Sequence, residues 1–356
     1  NINVNYKNTN LKKVLVFPKS GGNEDLFQAF KNKKNNNIIF FRIPRRFLKG
    51  IHLYYFKDTL INDYFTKIKR REKIYKKKAY VKSLTKIFNS LNKFINFDSL
   101  ISFNIFYYAE KYLDEVCKNL DKKFIILHKE STFTPLEEKG AIKIYGENND
   151  KSFANKISVY SKSQKEILIK SKIADKKQVV VNGCPRSDYS FKLRKAKPQN
   201  DLIVYYLIDK RRSQNLLSKK NRFNWDKLYS QTLKYLLEYT KNNPNIKLIL
   251  KGKTGVHNSL KNSKFLNENC IFIDGGTGEK LLKKAKVVIA FNTTILFEAI
   301  AGNRNLIIPN FNNVNTKKKN LVYKIENSNY FVHSKSQFFK KINFYLNSKY
   351  KKRKLA

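Results

Sequence analysis

The sequence predicts an α/β protein of two Rossmann-like, doubly wound domains that face each other across a cleft. Three observations carry that expectation. Short apolar runs alternate with helix-like stretches along most of the 356 residues, the signature of βαβ units and a parallel sheet. The alternation breaks at 192–200, where charges and Pro198 interrupt it. The length is enough for two domains, each burying its own core.

The first domain is expected over 1–191. It opens with the strand-like run Lys13–Phe17, closed by Pro18-Lys19-Ser20-Gly21-Gly22 and followed by a helix over 24–33. Residues 37–43 read as a second strand, 97–103 and 123–127 as two more with a helical stretch near 105–120 between them. Residues 157–160 and 178–181 close the series around a helix over 163–171. A basic helical insertion is expected at 59–92, where Lys67, Lys69, Arg70, Arg71, Lys73, Lys76, Lys77 and Lys78 interleave with Tyr64, Phe65, Ile68, Ile74 and Tyr75. Such a helix can lie on an anionic membrane surface; the other reading is a solvated helix whose lysines follow overall composition. The second domain is expected over 200–335, with strands at 202–208, 246–250, 271–273, 287–290 and 306–308 and helices at 225–241 and 294–301. A last helix over 336–347 and a basic tail complete 336–356.

The formal net charge of +47 attracts anionic partners of several kinds, namely nucleic acid, anionic lipid and phosphorylated ligands. Lysine is spread over almost every segment beside abundant Asn, Ile, Phe and Tyr, the mixture an A+T-rich genome writes by codon drift. The charge therefore chooses no partner. Cys117, Cys184 and Cys270 form no C-x-x-C pair and no cluster with the four His residues, so they read as buried small residues and no metal site is expected. No run is long and apolar enough for a spanning helix. The polar first ten residues lack the order of a secretory signal, and a reducing cytoplasm fits. The chain contains no Met, which leaves open whether its true start is missing.

In an open parallel sheet, ligands sit at the carboxyl ends of the strands, so the loops there are the candidate sites. Ser20, Gly21 and Gly22 follow the first strand; the glycines let a ligand approach the backbone, or serve a tight βα turn. His128-Lys129-Glu130 places three ionisable side chains in succession at a strand end. Desolvation disfavours that without a purpose, so Glu130, with His128 next, is the candidate base for an acceptor hydroxyl. Asn182-Gly183-Cys184-Pro185-Arg186 reads as a rigid turn from which Arg186 can reach a phosphate. Lys251 and Lys253 flank Gly252 at a strand end and suit a diphosphate. Gly275 and Gly276 can bend around a nucleobase. Thr293 and Thr294 stand where a buried strand passes into a helix and form an anion site, and Glu298 lies one turn on, placed to accept from ribose hydroxyls; Thr293 as a plain N-cap is the other reading.

In order and spacing, His128-Lys129-Glu130, Ile157-Ser158-Val159-Tyr160-Ser161 with Lys165-Glu166, Val181 to Asp188, and Asn292-Thr293-Thr294 with Glu298-Ala299 resemble the two-domain GT-B glycosyltransferases. More narrowly they resemble bacterial surface-polysaccharide biosynthesis proteins related to capsule and teichoic-acid polymer transferases. The resemblance spans about residues 120–310. It implies a nucleotide-sugar donor, a substrate rather than a cofactor, on the C-terminal domain. It implies acceptor and base on the N-terminal one, and a place in the cytoplasm or peripherally at the inner face of the plasma membrane. Teichoic-type polymerases show His-Gly where this chain has His128-Lys129, so glycerol-phosphate transfer is not carried over. No D-x-D signature is present, so cations and the helix start are expected to replace a metal. The expected reaction is sugar transfer to a surface glycan or lipid-linked acceptor. Its rivals are a sugar-nucleotide epimerase of the same architecture and a basic nucleic-acid-binding protein. Against the latter, the chain has no zinc finger, RNA-recognition motif or concentrated basic face.

Overall fold

A computed structural model describes residues 11–19, 21–30, 37–56, 60–61, 64–65, 70–129, 132–148, 151–208, 223–276, 278–311 and 321–349, with side chains set aside at 60–61, 64–65, 70–74, 108 and 186. The chain divides into two compact units. The first comprises residues 1–132 and 138–186; the second comprises 133–137 and 187–356.

In the first unit, β1 (Lys12–Val16), α1 (Gly22–Phe30), β2 (Ile38–Arg42) and α2 (Arg45–Tyr55) lead into the short hairpin β3 (Leu60–Ile61) and β4 (Tyr64–Phe65). Then come the long helix α3 (Arg70–Ile95), β5 (Ser99–Ser102), α4 (Leu113–Asn119), β6 (Lys123–Leu127), α5 (Pro135–Asn148), β7 (Lys156–Val159), α6 (Lys162–Lys170) and β8 (Val179–Val181). Six strands form one parallel sheet in the order β2-β1-β5-β6-β7-β8. Sequence succession reverses at β1, which lies between β2 and β5. Val14, Val16, Leu26, Ile101 and Phe103 form a packed cluster of this unit, each buried. The start of α6 is fixed by Ser161, whose hydroxyl accepts from the Gln164 N–H, a serine N-cap, while the Gln164 carboxamide accepts from the Tyr160 N–H one residue before the cap.

The second unit runs α7 (Arg186–Lys192), β9 (Leu202–Tyr206), α8 (Asp226–Asn242), β10 (Lys247–Gly252), β11 (Cys270–Asp274), α9 (Glu279–Lys284), β12 (Val287–Ile289), α10 (Ile295–Ala301), β13 (Asn305–Pro309), β14 (Phe331–Val332) and α11 (Lys335–Asn347). Its six strands are again all parallel, in the order β11-β10-β9-β12-β13-β14. This is the doubly wound order in which succession reverses at the first strand, here β9, between β10 and β12. Every residue of β9 and β12 is buried, as expected of strands covered on both faces by helices. Trp225, Tyr205, Leu236 and Phe338 belong to the core around them.

Two expectations change, and one helix is added. The chain crosses between units at 186–187, not at 192–200. Leu193 is buried in the second core. The Arg304 guanidinium donates to the carbonyls of Leu193 (2.7 Å) and Ala196 (3.1 Å), and Arg194 donates to Ala301 (2.7 Å). The stretch read as a linker is therefore bonded into the second unit. The basic stretch 59–92 becomes a hairpin and a single helix that continues to Ile95; Lys67, Lys69 and Ile68 lie outside the described residues. Helix α2 was not anticipated at all. Cys117 and Cys270 are buried, which pushes their thiols up to about 12 and about 11. Among the described residues, no helix is long and apolar enough to cross a membrane.

Candidate functional site

In the second unit, the reversal of strand order sets β9 beside β12, and the loops leaving both mark the place for a ligand. The Tyr206 hydroxyl, at the end of β9, donates to the Gly278 carbonyl at 2.7 Å. A Cβ on Gly278 would stand 2.8 Å from the Tyr206 ring and 3.2 Å from Ile295, so glycine is what lets the start of α9 close on β9. After β12 the backbone turns through Asn292 at φ 45°, a left-handed conformation that Asn tolerates. The Asn292 carboxamide donates to the Leu321 carbonyl (2.8 Å) and accepts from the Tyr323 N–H (3.1 Å), so it locks this exit to 321–323.

Thr293 is half-buried and Thr294 exposed. Thr294, not Thr293, occupies the N-cap of α10, and its hydroxyl caps no helix N–H. Glu298, half-buried one turn on, stands close enough to Tyr206 that its carboxylate, after burial itself, raises the phenol above its ordinary range. Tyr206 is thus held un-ionised as the donor to the Gly278 carbonyl.

The other candidates of this unit take different places. Lys251 is buried, and its ammonium donates to the carbonyls of Gly252 (2.7 Å) and Gly275. It ties the end of β10 to the loop after β11. Burial lowers its pKa, against the nearby Asp274 carboxylate. Of the expected lysine pair, Lys253 is the one exposed to solvent. Gly275 and Gly276 both adopt positive φ (69° and 71°). Asp274 beside them accepts from the Gly255 N–H (3.2 Å) and pairs with Lys261 (3.0 Å), and that lysine holds its carboxyl below the usual range.

In the first unit the reversal sets β1 beside β5. Gly21 has φ 82° and donates its N–H to the Glu24 carboxylate at 2.5 Å. A Cβ on Gly22 would overlap the ring of Phe103, which is itself buried. Both glycines therefore serve the turn and its packing. Gly22→Ala is expected to cost about 1–3 kcal/mol, because overpacking a filled core moves side chains off their rotamers; the urea midpoint by circular dichroism measures it, and an unchanged midpoint would show that Phe103 yields freely.

His128 is 1% exposed, its ring edge-on to Phe106 at 5.3 Å, so the structure places it inside the unit. A base must lie within hydrogen-bond reach of the proton it takes. Ser20 and Glu130 lie outside the described residues. Arg186 opens α7, and its side chain is likewise not described. His128 and the glycine loop thus share the carboxyl edge of one sheet, whereas Lys251, Gly275, Thr294 and Glu298 share that of the other.

A cluster that the sequence did not single out also stands at the first edge. Lys19 follows β1, Arg45 follows β2, Tyr107 follows β5 and Lys129 follows β6. The three cations gather over the Tyr107 ring, at 4.9 Å (Lys19), 4.8 Å (Arg45) and 6.0 Å (Lys129) from its centroid. Arg45 is paired with Glu110. Four strand-end loops meeting on one aromatic ring form a cationic corner suited to an anionic group. Lys19 and Lys129 stand in strand-end loops that the sequence marks, but nothing in the sequence joins them to each other or to Arg45 and Tyr107. Among the described residues, no group of three His, Cys, Asp or Glu side chains is placed to hold a metal ion.

No family model matches the chain, and no curated protein matches it. Among solved structures it is similar to a UDP-N-acetylglucosamine 2-epimerase, at 10% identity over 96% of this chain and 89% of that one, with a TM-score of 0.52. It is also similar to the UDP-GlcNAc 2-epimerase of Neisseria meningitidis bound to UDP-GlcNAc (11%, 94% and 91%, 0.49). A glycosyltransferase from Rickettsia africae ESF-5 is a third (14%, 95% and 88%, 0.47). At such identities a likeness speaks for the fold. With the two strand orders, the first of these gives the chain the architecture of the GT-B fold, two Rossmann-like domains in one chain.

Proposed function

We propose that the protein is a glycosyltransferase that moves a sugar from a nucleotide-activated donor to a surface polysaccharide or lipid-linked acceptor. The observation that carries this reading is Glu298, a half-buried carboxylate in the first turn of α10, the helix that follows β12 where the second unit's strand order reverses. A carboxylate there accepts from the paired hydroxyls of a ribose. The hydroxyls of Thr293 and Thr294 and the ammonium of Lys253 stand ready for the diphosphate, and stabilise the charge that grows on it as the sugar leaves. Gly275 and Gly276 border the place of the base. In the first unit, Glu130 takes the acceptor's proton, and Lys19 and Lys129 favour an acceptor that carries a phosphate. A lipid-linked acceptor places the protein at the inner face of a membrane.

Calorimetric titration against a panel of nucleotide sugars tests this. One of them binds, and Glu298→Gln weakens it by about 10- to 100-fold, the worth of a hydrogen bond to a charged group, with the melting temperature of the ligand-free protein unchanged. Glu130→Gln abolishes turnover with donor affinity intact. Unaltered affinity in the Glu298 variant would remove the donor site from this place.

One finding favours a second reading: the solved structure with the TM-score of 0.52 is an epimerase by name. Conversion of the donor sugar with no acceptor present would select that reaction.

A further inference from the structure

Two neighbouring helices of the first unit present unusual outward faces. On α3, the positions turned to solvent recur at helical spacing: Tyr75, Lys78, Lys82, Lys86, the polar pair Asn89-Ser90 and the pair Lys93-Phe94. Tyr75 is 79% exposed and Phe94 88% exposed. A row of four lysines thus runs between two aromatic ends about 28 Å apart at the rise of an α-helix. The opposite face of α3 is secured by Tyr80, Leu84 and Phe88, all buried.

Helix α2 is tied to α3 by the Tyr55 and Ser83 hydroxyls at 2.6 Å, and it is built inside out. Its inward face holds Arg45, Leu48 and His52. Its outward positions are Arg46, Phe47, Gly50, Leu53 and Tyr54, with Phe47 43% and Tyr54 76% exposed. A Cβ on Gly50 would meet nothing within 4 Å, so no internal packing asks for glycine there. Between α3 and α4 runs a groove of about 360 Å³, lined by Lys77, Lys78, Lys82, Lys86, Asn119 and Glu115, whose carboxylate is paired with Lys77.

We infer that this face docks on an anionic lipid bilayer, with the lysine row of α3 on the headgroup phosphates and the aromatic side chains of α3 and α2 in the interface. Charge complementarity selects the phosphate layer. The exposed Tyr75, Phe94, Phe47 and Tyr54 add rings that seat at headgroup depth beside lysines; rings among cations also stack single-stranded bases, and the test therefore sets RNA against the vesicles. The groove gives a headgroup phosphate a seat on its Lys78, Lys82 and Lys86 side, the Glu115 carboxylate being paired with Lys77. The surface is read from the first unit alone and stands whatever reaction is assigned to the protein.

Cosedimentation of the full chain with vesicles tests it. Vesicles of phosphatidylcholine with about one-third phosphatidylglycerol bind the protein, pure phosphatidylcholine does not, and raising salt from about 0.1 M to about 0.5 M releases it. The triple variant Lys78→Gln, Lys82→Gln, Lys86→Gln lowers partitioning by about 100-fold, at about fivefold per lysine. A control triple on α8, Lys227→Gln, Lys234→Gln, Lys241→Gln, removes the same charge from exposed positions and leaves partitioning within about twofold. Tyr75→Ser with Phe94→Ser weakens binding with the salt dependence kept. Equal loss in both triples would reduce the effect to overall charge and overturn the proposal. So would absence of binding to the anionic vesicles, or single-stranded RNA that binds the α3 face and displaces the vesicles. Unchanged melting temperatures confirm that the variants are folded.

Discussion

Arg45→Ala lowers the stability of the first unit by about 3–5 kcal/mol, the cost of leaving one partner of a buried ion pair alone. The Arg45 guanidinium meets the Glu110 carboxylate through two parallel contacts, Nε to Oε1 at 2.5 Å and Nη2 to Oε2 at 2.9 Å. The side chains are 8% and 2% exposed. Removing the arginine takes two donors from a carboxylate whose side chain is only 2% exposed. The paired variant Arg45→Met with Glu110→Leu is expected to regain most of the loss, since replacing both charges by apolar groups removes the desolvation cost together with the attraction. Trp225, the sole tryptophan, belongs to the second unit. Its emission therefore reports that unit's unfolding, and the effect should appear in the far-ultraviolet circular dichroism that does not track it. Equal midpoints for Arg45→Ala and the parent would show that the pair contributes nothing.

Acid weakens the same corner through His52. The ring is fully buried, against Phe56 at 4.6 Å and edge-on to Tyr80 at 5.4 Å. Burial, with Lys111 adding to it, pushes its pKa down to about 4 from 6.5. In the unfolded chain His52 takes a proton as the pH falls below about 6.5, and in the folded protein only near 4. Between those values the unfolded state binds more protons, so stability falls with falling pH, and below about 4 the loss stops growing. The shift is worth on the order of 3 kcal/mol. Urea titrations at several pH values should show the slope, and His52→Leu should flatten it. A slope equal in the variant would assign the effect to other groups.

How much could be read from the chain depends on the direction of burial. Strand β9 was legible because a parallel strand buried on both faces is a continuous apolar run; β6, fully buried only at Phe124 and Ile126, is an apolar run as well, and Lys123–Leu127 was expected at those limits and is found there. Helix α2 was illegible for the opposite reason: it buries Arg45 and His52 and exposes Phe47 and Tyr54, so a reading that sends apolar residues inward finds no helix. The linker was misplaced because Leu193 is one apolar residue among charges, and its carbonyl is tied to Arg304 more than a hundred positions later. At the site, a strand running into Thr293-Thr294 and Glu298 could be recognised locally. Whether a lysine reaches for a phosphate or a carbonyl could not, and Lys251 binds two carbonyls.

The carboxyl edge of the second sheet is shaped partly by atoms that are missing. Gly252 lies against the Phe272 ring, Gly275 against Thr254 and Gly278 against Tyr206, and at each a single added methyl would collide. Substitution at these three positions is closed as a route by which a lineage could drift toward another ligand. Selection on that unit has to work through side chains that already point outward, such as Thr294, Phe297 and Lys253. Diversity in preference should gather there, while the floor beneath them stays fixed.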